Sequence, residues 1–292
     1  MKFEKVIVWG HKLHSHTHSY IHGAFDKAFR HLGYETYWLD NADDVSGMNF
    51  ENCLFITEGQ VDQNIPKVKT GKYVLHNCDI QKYHGMHTLA LQVYTNGREK
   101  SCGVFGKEIE PCVFYDEDNR TIYQPWATDL LPEEISKEPV FVENGKVGWV
   151  GSVWGGYHGN DTELIPFIDT CGERGFEFMS ISPGSCSFEQ NRTAIAGVEI
   201  APAIVGRWQK VNGYIPCRIF KNISYGKLGL TNSKTVFDLL DGNVIYGSSE
   251  ELLEKYISTE ASRRVSLFNN AVSLIKNKHT YINRINSILS VI

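Results

Sequence analysis

The chain has 292 residues, of which 42% are hydrophobic and 22% are charged, and its formal net charge is −5 at pH 7. This composition is that of a folded globular protein and excludes an intrinsically disordered one, while the length fits two domains. The acidic balance argues against nucleic acid as the main partner, because proteins that bind the phosphate backbone usually carry a basic excess.

Seven cysteines are scattered along the chain, at positions 53, 78, 102, 112, 171, 186 and 217, without a Cys-x-x-Cys pair. These spacings predict neither a disulfide framework nor a structural zinc site, so we expect reduced thiols. The apolar run near the N-terminus is too short for a secretion signal, and no run approaches the length of about 20 apolar residues that spans a bilayer. A soluble cytoplasmic protein without a transmembrane segment is therefore expected.

Short apolar runs alternate with helical patterns through the first half of the chain. Runs at 5–9, 35–39, 53–57 and 72–76 predict strands of βαβ units, and 89–95 and 112–115 are weaker candidates. The first run is followed by a histidine-rich stretch that contains His11, His14, His16, His18 and His22. A helix capped by Ser19 is expected to follow, which puts His16 and His18 in a strand-to-helix turn, where open α/β sheets bind ligands.

The second half repeats this plan after a proline-containing connection at 123–132. A strand at 146–151, a glycine-rich loop and a helix capped by Asp161 are predicted first. Later strands are predicted at 176–181, 198–201, 228–231 and 243–246, and terminal helices at 250–256 and roughly 260–292. In the segment 213–233, Arg218 and Lys221 are three residues apart and so lie on one helix face, and Gly226 is predicted to end that helix.

This second half carries a resemblance to a known family. The strand, loop and helix at 147–172, followed by IAPAIVGRWQ and YIPCRIFKNISYGKLGLTNS, resemble the C-terminal donor-binding domain of group 1 GT-B glycosyltransferases. The first half, with its Gly10 turn and WLD strand, looks like the matching acceptor domain. The resemblance implies an α/β fold with two Rossmann-like domains facing a cleft: residues 1–125 for the acceptor, 126–270 for the nucleotide sugar, and a terminal helix at 271–292 that packs back toward the N-terminal domain.

The chain also departs from that family's pattern. Retaining members of the largest group usually carry two glutamates eight positions apart, whereas Gly213 and Lys221 stand at the equivalent positions here. The glutamate chemistry is therefore not carried over, and the stereochemical course stays open.

The resemblance implies transfer of a sugar from a nucleotide-diphosphate donor, of UDP or GDP type, to a glycan hydroxyl without a metal or other cofactor. Arg218 and Lys221 are expected to neutralise the diphosphate, with Gly151, Ser152 and Gly226 completing its binding site. Trp154, Tyr157 and Tyr214 are candidates for stacking on the base or the sugar, as is Trp208. The ordinary alternatives for these residues are a solvated helix face, a flexible turn and core packing.

An acceptor hydroxyl also needs a base if the anomeric centre inverts. His16 and His18 are the first candidates, because imidazole titrates near neutrality, and Asp79 is the next. Alternate imidazoles at His14, His16 and His18 could bind zinc, but their run contains no carboxylate, so no catalytic metal is expected. Two other functions stay open: a nucleotide-sugar epimerase of the same architecture, and a non-catalytic module that binds a sugar or a nucleotide.

Overall fold

The computed structural model describes residues 3–12, 17–94, 106–181 and 186–292. In these ranges the chain forms two α/β halves, each with its own hydrophobic core. The six cysteines in the described part are free thiols. No helix in these ranges is both long enough and apolar enough to cross a bilayer.

One eight-stranded sheet organises the first half. Its strands are β1 (Lys5–Trp9), β2 (Thr36–Leu39), β3 (Cys53–Glu58), β4 (Lys72–His76), β5 (His87–Gln92), β6 (Lys107–Glu110), β7 (Val113–Asp116) and β8 (Thr121–Tyr123), in the order β2-β1-β3-β4-β5-β8-β7-β6. The strands β2, β1, β3, β4, β5 and β8 pair in parallel. Beyond β8, the strands β7 and β6 extend the sheet by antiparallel pairing. Because β1 lies between β2 and β3, the strand order reverses there, and such a switch point opens a crevice at the carboxyl ends of the strands.

Helix α1 (Thr17–His31) follows β1 and covers this sheet. Its apolar face carries Ile21, Phe25 and Phe29, which are at most 3% exposed and lie at the spacing of one helix face. The sequence predicts the start of this helix at Ser19, and the structure begins it two residues earlier, so His18 belongs to the first turn of the helix.

The second half has a smaller parallel arrangement. Strands β9 (Lys146–Val150) and β10 (Glu177–Ile181) form one pair, and β11 (Leu230–Thr231) and β12 (Ile245–Tyr246) form another. The segment at 200–203 connects the two pairs through isolated β-bridges. Ile200 pairs with Val147 of β9, and Ala203 pairs with Thr231 of β11. The strand predicted at 198–201 is therefore reduced to isolated bridges, while the parallel alternation of strands and helices is confirmed.

The helices of this half pack around those strands. They are α2 (Asp161–Glu173), α3 (Phe188–Ala196), α4 (Arg207–Val211), α5 (Cys217–Ser224), α6 (Lys234–Leu239), α7 (Leu252–Ser258), α8 (Ala261–Lys278) and α9 (Tyr281–Val291). Helix α5 buries Ile219, Phe220 and Ile223 completely. Burial of each such side chain contributes about 1.5–3 kcal/mol to stability. The core therefore holds the helix that carries Arg218 and Lys221 in place.

Helix α9 crosses back to the first half, as expected for the terminal helix. The Tyr281 ring lies 4.7 Å from the Phe25 ring of α1. The guanidinium of Arg284, 1% exposed, donates to the carbonyl of Pro125 at 2.8 Å and to Nδ1 of His279 at 2.9 Å. Burial lowers the pKa of Arg284 to about 10. The long helical pattern at 260–292 is thus two helices, broken at His279 and restarted where Thr280 caps α9.

Candidate active site

A cavity of about 320 Å³ lies between the two halves. Helix α1 supplies one wall, the connection contributes Trp126, and the second half supplies the opposite wall. Six of the predicted site residues line this cavity: His18, Ser152, Trp154, Tyr214, Arg218 and Lys221. Its size is that of a small-molecule site, since such sites measure about 300–1,000 Å³.

Arg218 is held rigidly on the second-half wall. The carbon at the centre of its guanidinium lies 3.6 Å from the centre of the Trp149 ring, and Nε donates to the Val150 carbonyl at 3.2 Å. A Cβ at Gly151 would lie only 2.1 Å from the Nη2 atom of Arg218. The glycine is therefore required for the guanidinium to lie against the backbone at the end of β9. Burial lowers the pKa of Arg218 below its ordinary value.

Lys221 is the second cation, one helical turn further along α5. It is 7% exposed, and its Nζ lies 3.8 Å from the centre of the Tyr20 ring on α1. Burial raises the pKa of Tyr20, so this ring is a neutral phenol and offers a π face without a counter-charge.

Neither cation forms an ion pair with a carboxylate in the part of the chain that the structure describes. A buried charge without a partner is costly, and buried cations are normally paired. Arg218 and the buried Lys221 therefore leave positive charge on one wall of the cavity, which favours an anionic ligand.

The glycine-rich loop after β9 is ordered around Asn160. Its Oδ1 accepts the backbone N–H of Trp154 at 3.1 Å, and its Nδ2 donates to the Ser152 carbonyl at 3.0 Å. Helix α2 begins at the next residue. Asn160 was not among the predicted site residues. The sequence predicts the cap at Asp161, whereas in the structure Asn160 occupies the N-cap position and its side chain bonds to the loop instead of the helix. This residue holds Ser152 and Trp154 in the cavity wall.

Imidazoles and one carboxylate gather on the opposite side. His11 follows β1, Glu58 ends β3 and His76 ends β4, so all three lie at carboxyl ends beside the switch point. Helix α1 adds His18 and His22. The ring of His18 lies 5.3 Å from that of His11, 6.5 Å from that of His22 and 5.5 Å from that of His76. We refer to these five residues as the histidine cluster.

A buried contact joins His11 to Glu58 in this cluster. Nε2 of His11 lies 3.1 Å from Oε2 of Glu58, and both side chains are at most 5% exposed. The same carboxylate oxygen accepts the backbone N–H of Gln60 at 3.0 Å. Burial raises the pKa of Glu58, but the hydrogen bonds from His11 and Gln60 outweigh it, and the net shift is downward. Glu58 is therefore ionised at neutral pH.

Two other imidazoles of the cluster are neutral. Nδ1 of His22 lies 2.9 Å from the Gly10 carbonyl, and Nδ1 of His76 lies 3.1 Å from the Leu91 carbonyl. Each nitrogen must carry its hydrogen to make such a bond. Burial lowers the pKa of His22 to about 4 and lowers that of His76 as well.

The remaining predicted site residues lie elsewhere. Asp79 begins a short 3-10 helix, where its Oδ1 accepts the Gln81 N–H at 3.1 Å, and it does not line the cavity. Gly226 ends α5 and does not line the cavity. Its φ is +96°, its N–H donates to the Ile223 carbonyl, and the N–H of Lys227 donates to the Asn222 carbonyl. His16, together with His14, lies outside the described residues.

Of the predicted stacking residues, two line the cavity and two do not. Tyr157 is 78% exposed, and its ring lies 5.0 Å from that of His158 without lining the cavity. Trp208 does not line the cavity either, and its ring lies 5.1 Å from the Tyr94 ring. Trp154 and Tyr214 do line it. Glu58 is a second residue that sequence reasoning missed, since a carboxylate at the end of a separate strand gives no signal within the histidine-rich run.

Comparisons with known proteins place the fold. No protein-family model and no curated protein sequence matches the chain. The structure of T4 phage BGT in complex with its UDP-glucose substrate matches with a TM-score of 0.53 and 11% identity, covering 97% of this chain and 98% of the other. A glycosyltransferase from Rickettsia africae ESF-5 matches with a TM-score of 0.52 and 10% identity, covering 100% and 98%.

These two likenesses extend over essentially both whole chains, and at such identities they concern the fold. The chain has the GT-B fold, with two Rossmann-like α/β halves facing a cavity and C-terminal helices that return to the first half. The predicted fold class is confirmed.

Proposed function

We propose that this chain is a glycosyltransferase that moves a sugar from a nucleotide-diphosphate donor to a glycan hydroxyl. The observation that carries this proposal is the pair of uncompensated cations, Arg218 and Lys221, on one wall of the cavity between the halves. A diphosphate supplies the negative charge that this wall lacks, and a guanidinium binds phosphate oxygens through a fork of N–H donors.

The second half, residues 126–270, is the donor side in this proposal. Arg218 and Lys221 stabilise the departing diphosphate, while Ser152, Trp154 and Tyr214 contact the rest of the nucleotide sugar. Because two protein cations neutralise the diphosphate, donor binding and transfer are metal-independent. A donor of UDP or GDP type is proposed, and the fold likeness to T4 phage BGT, whose structure contains UDP-glucose, supports testing UDP first.

The first half, residues 1–125, is the acceptor side. The acceptor oxygen forms a new bond to the anomeric carbon of the sugar, and the bond from that carbon to the diphosphate oxygen breaks. The electron pair leaves with the diphosphate, which Arg218 and Lys221 hold. The proton of the acceptor hydroxyl passes to His18, since His18 is the predicted base that lines the cavity opposite the cations.

A turnover experiment tests this function. The protein is incubated with UDP- and GDP-sugars and a panel of glycans in the presence of a chelator, and both the released nucleotide and the glycan products are analysed. Release of UDP or GDP together with an extended glycan is the expected result. Nucleotide binding without turnover would instead indicate a binding module, and a sugar isomerised while still on the nucleotide would indicate an epimerase; either result contradicts the proposal.

A further inference from the structure

We propose that His11, His18 and Glu58 form a binding site for a divalent transition metal such as Zn²⁺, and that a bound ion prevents His18 from acting as the base. The metal site stands on the geometry of the histidine cluster alone. Only the effect on catalysis rests on the proposed function. The site is distinct from the cationic wall, because it lies at the carboxyl ends of the first-half strands.

The three side chains are close enough to share one ion. One ligand atom from each lies within 4.8 Å of the other two. Nε2 of His11 and Oε2 of Glu58 are 3.1 Å apart. Two ligands on a tetrahedral zinc ion with bonds of about 2.0 Å are separated by roughly 3.3 Å, so this pair needs little movement to bind a common ion. The metal takes the place of the proton that now lies between them.

The ligand types favour zinc and related ions over magnesium. Two imidazoles and a carboxylate are a common ligand set for zinc and other first-row transition metals, whereas magnesium prefers oxygen ligands. The charge of Glu58 offsets part of the charge of a divalent ion. Its orientation is fixed by the backbone N–H of Gln60 at 3.0 Å, and hydrogen bonds of this kind behind a ligand raise metal affinity.

The three ligands come from separate elements that the fold holds together. His11 follows β1, Glu58 ends the neighbouring strand β3, and His18 is in the first turn of α1. His18 lines the cavity, while His11 and Glu58 are buried behind it, so an ion bound by all three lies at the cavity wall. Open coordination positions toward the cavity are then available to water or to an acceptor oxygen.

Metal binding and base catalysis by His18 exclude each other. Once one ring nitrogen of an imidazole binds a metal, the other nitrogen carries the hydrogen, and the ring no longer accepts a proton near neutral pH. We therefore expect Zn²⁺ to inhibit transfer at the concentrations at which it fills this site.

Cobalt binding tests the metal site without any assay of activity. The full chain is titrated with Co²⁺, and the visible absorption bands of a four-coordinate ion are recorded, followed by competition with Zn²⁺. The wild type and the exposed-histidine control His84→Ala are expected to show the same bands and affinity. Glu58→Gln and His18→Ala are expected to weaken binding by on the order of 100-fold. Equal affinity in all four proteins, or a spectrum of hexa-aquo cobalt only, would overturn the proposal.

Two further measurements keep the result interpretable. Circular dichroism and thermal unfolding of the metal-free variants show whether each is folded, and Glu58→Gln serves as the near-isosteric substitution if His18→Ala is unstable.

Turnover is then measured with Zn²⁺ and after removal of Zn²⁺ by a chelator. Inhibition that the chelator reverses is expected, and turnover unaffected or raised by a saturating ion contradicts the effect on His18. A chain without turnover still gives the cobalt result, so failure of the metal site and failure of the proposed function are distinguishable.

Discussion

The two walls of the cavity differ in the sign and the pairing of their charges. The second-half wall presents Arg218 and Lys221 over aromatic rings without a carboxylate partner among the described residues. The first-half wall presents His18. The other members of the histidine cluster, three imidazoles and the ionised carboxylate of Glu58, are buried and do not line the cavity. The second-half wall can stabilise a bound anion but cannot accept a proton near neutral pH. The first-half wall offers the imidazole of His18 as a proton acceptor in the proposed reaction.

In the proposed reaction, this difference assigns the donor and the acceptor to different halves of the chain. The proposal places the leaving diphosphate where positive charge is fixed in advance, and the acceptor hydroxyl beside the imidazole of His18. Helix α1 brings the two together, because Tyr20 contacts Lys221 while His18 belongs to the histidine cluster. Variants that change one wall should leave the task of the other wall intact.

The largest effect is expected for His18→Ala. Loss of the base should lower transfer by about 10²–10⁴-fold, while the affinity for UDP or GDP changes by less than about twofold, because the cationic wall is untouched. Rates and titrations are compared with those of His84→Ala, which removes an exposed imidazole outside the cluster. Wild-type turnover in His18→Ala would remove this residue from the reaction.

A medium effect is expected for Gly151→Ala on the other wall. The new Cβ would lie 2.1 Å from Nη2 of Arg218, so the guanidinium has to leave its place on Trp149. Nucleotide affinity should fall by about tenfold, which corresponds to one charged hydrogen bond of about 1.4 kcal/mol. Gly172→Ala is the matched control, because a Cβ there meets no atom within 4 Å. Equal nucleotide affinity in both variants would show that the close approach at Gly151 does not position Arg218 for binding.

The smallest effect concerns stability and comes from a histidine outside both walls. Burial and the nearby cations Arg284 and Lys278 hold the pKa of His279 well below its ordinary value. As pH falls through about 6.5, the unfolded chain binds a proton at this residue and the folded chain does not, so its contribution to stability is lost on acidification.

His279→Gln keeps an acceptor near Arg284 and removes this titration. Between pH 7.5 and pH 5, the melting temperature of the wild type should fall by a few degrees more than that of the variant. His84→Gln, at an exposed position, should follow the wild type. Parallel pH profiles for His279→Gln and the wild type would show that this imidazole does not titrate differently on folding.

The sequence predicts the fold better than it predicts the site. Alternating apolar runs and glycines predict the parallel strands and their helices, since each run must be buried and each glycine ends an element. Arg218 and Lys221 are found by local spacing, and the end of their helix at Gly226 is confirmed. The antiparallel edge formed by β6, β7 and β8 is not predicted, because antiparallel pairing depends on contacts between strands that local pattern does not encode.

The histidine cluster shows why the rest of the site is out of reach. His11 and His18 are visible in one run, but Glu58 lies 47 residues from His11 and meets it only because β3 pairs with β1. A long-range contact of this kind requires the strand order, which a single sequence does not give. Asn160 is also missed, because the sequence predicts the helix cap one residue later, at Asp161.

The central claim is that the second-half wall binds a diphosphate through two uncompensated cations. Calorimetric titration with UDP and GDP, in a chelator, of the wild type, Arg218→Ala, Lys221→Met and the exposed control Arg263→Ala tests it most directly. Each cation variant should bind about 10–100-fold more weakly, as expected for loss of charged hydrogen bonds, with no loss of melting temperature, and the control should match the wild type. Wild-type affinity for both nucleotides in Arg218→Ala and Lys221→Met would contradict the account.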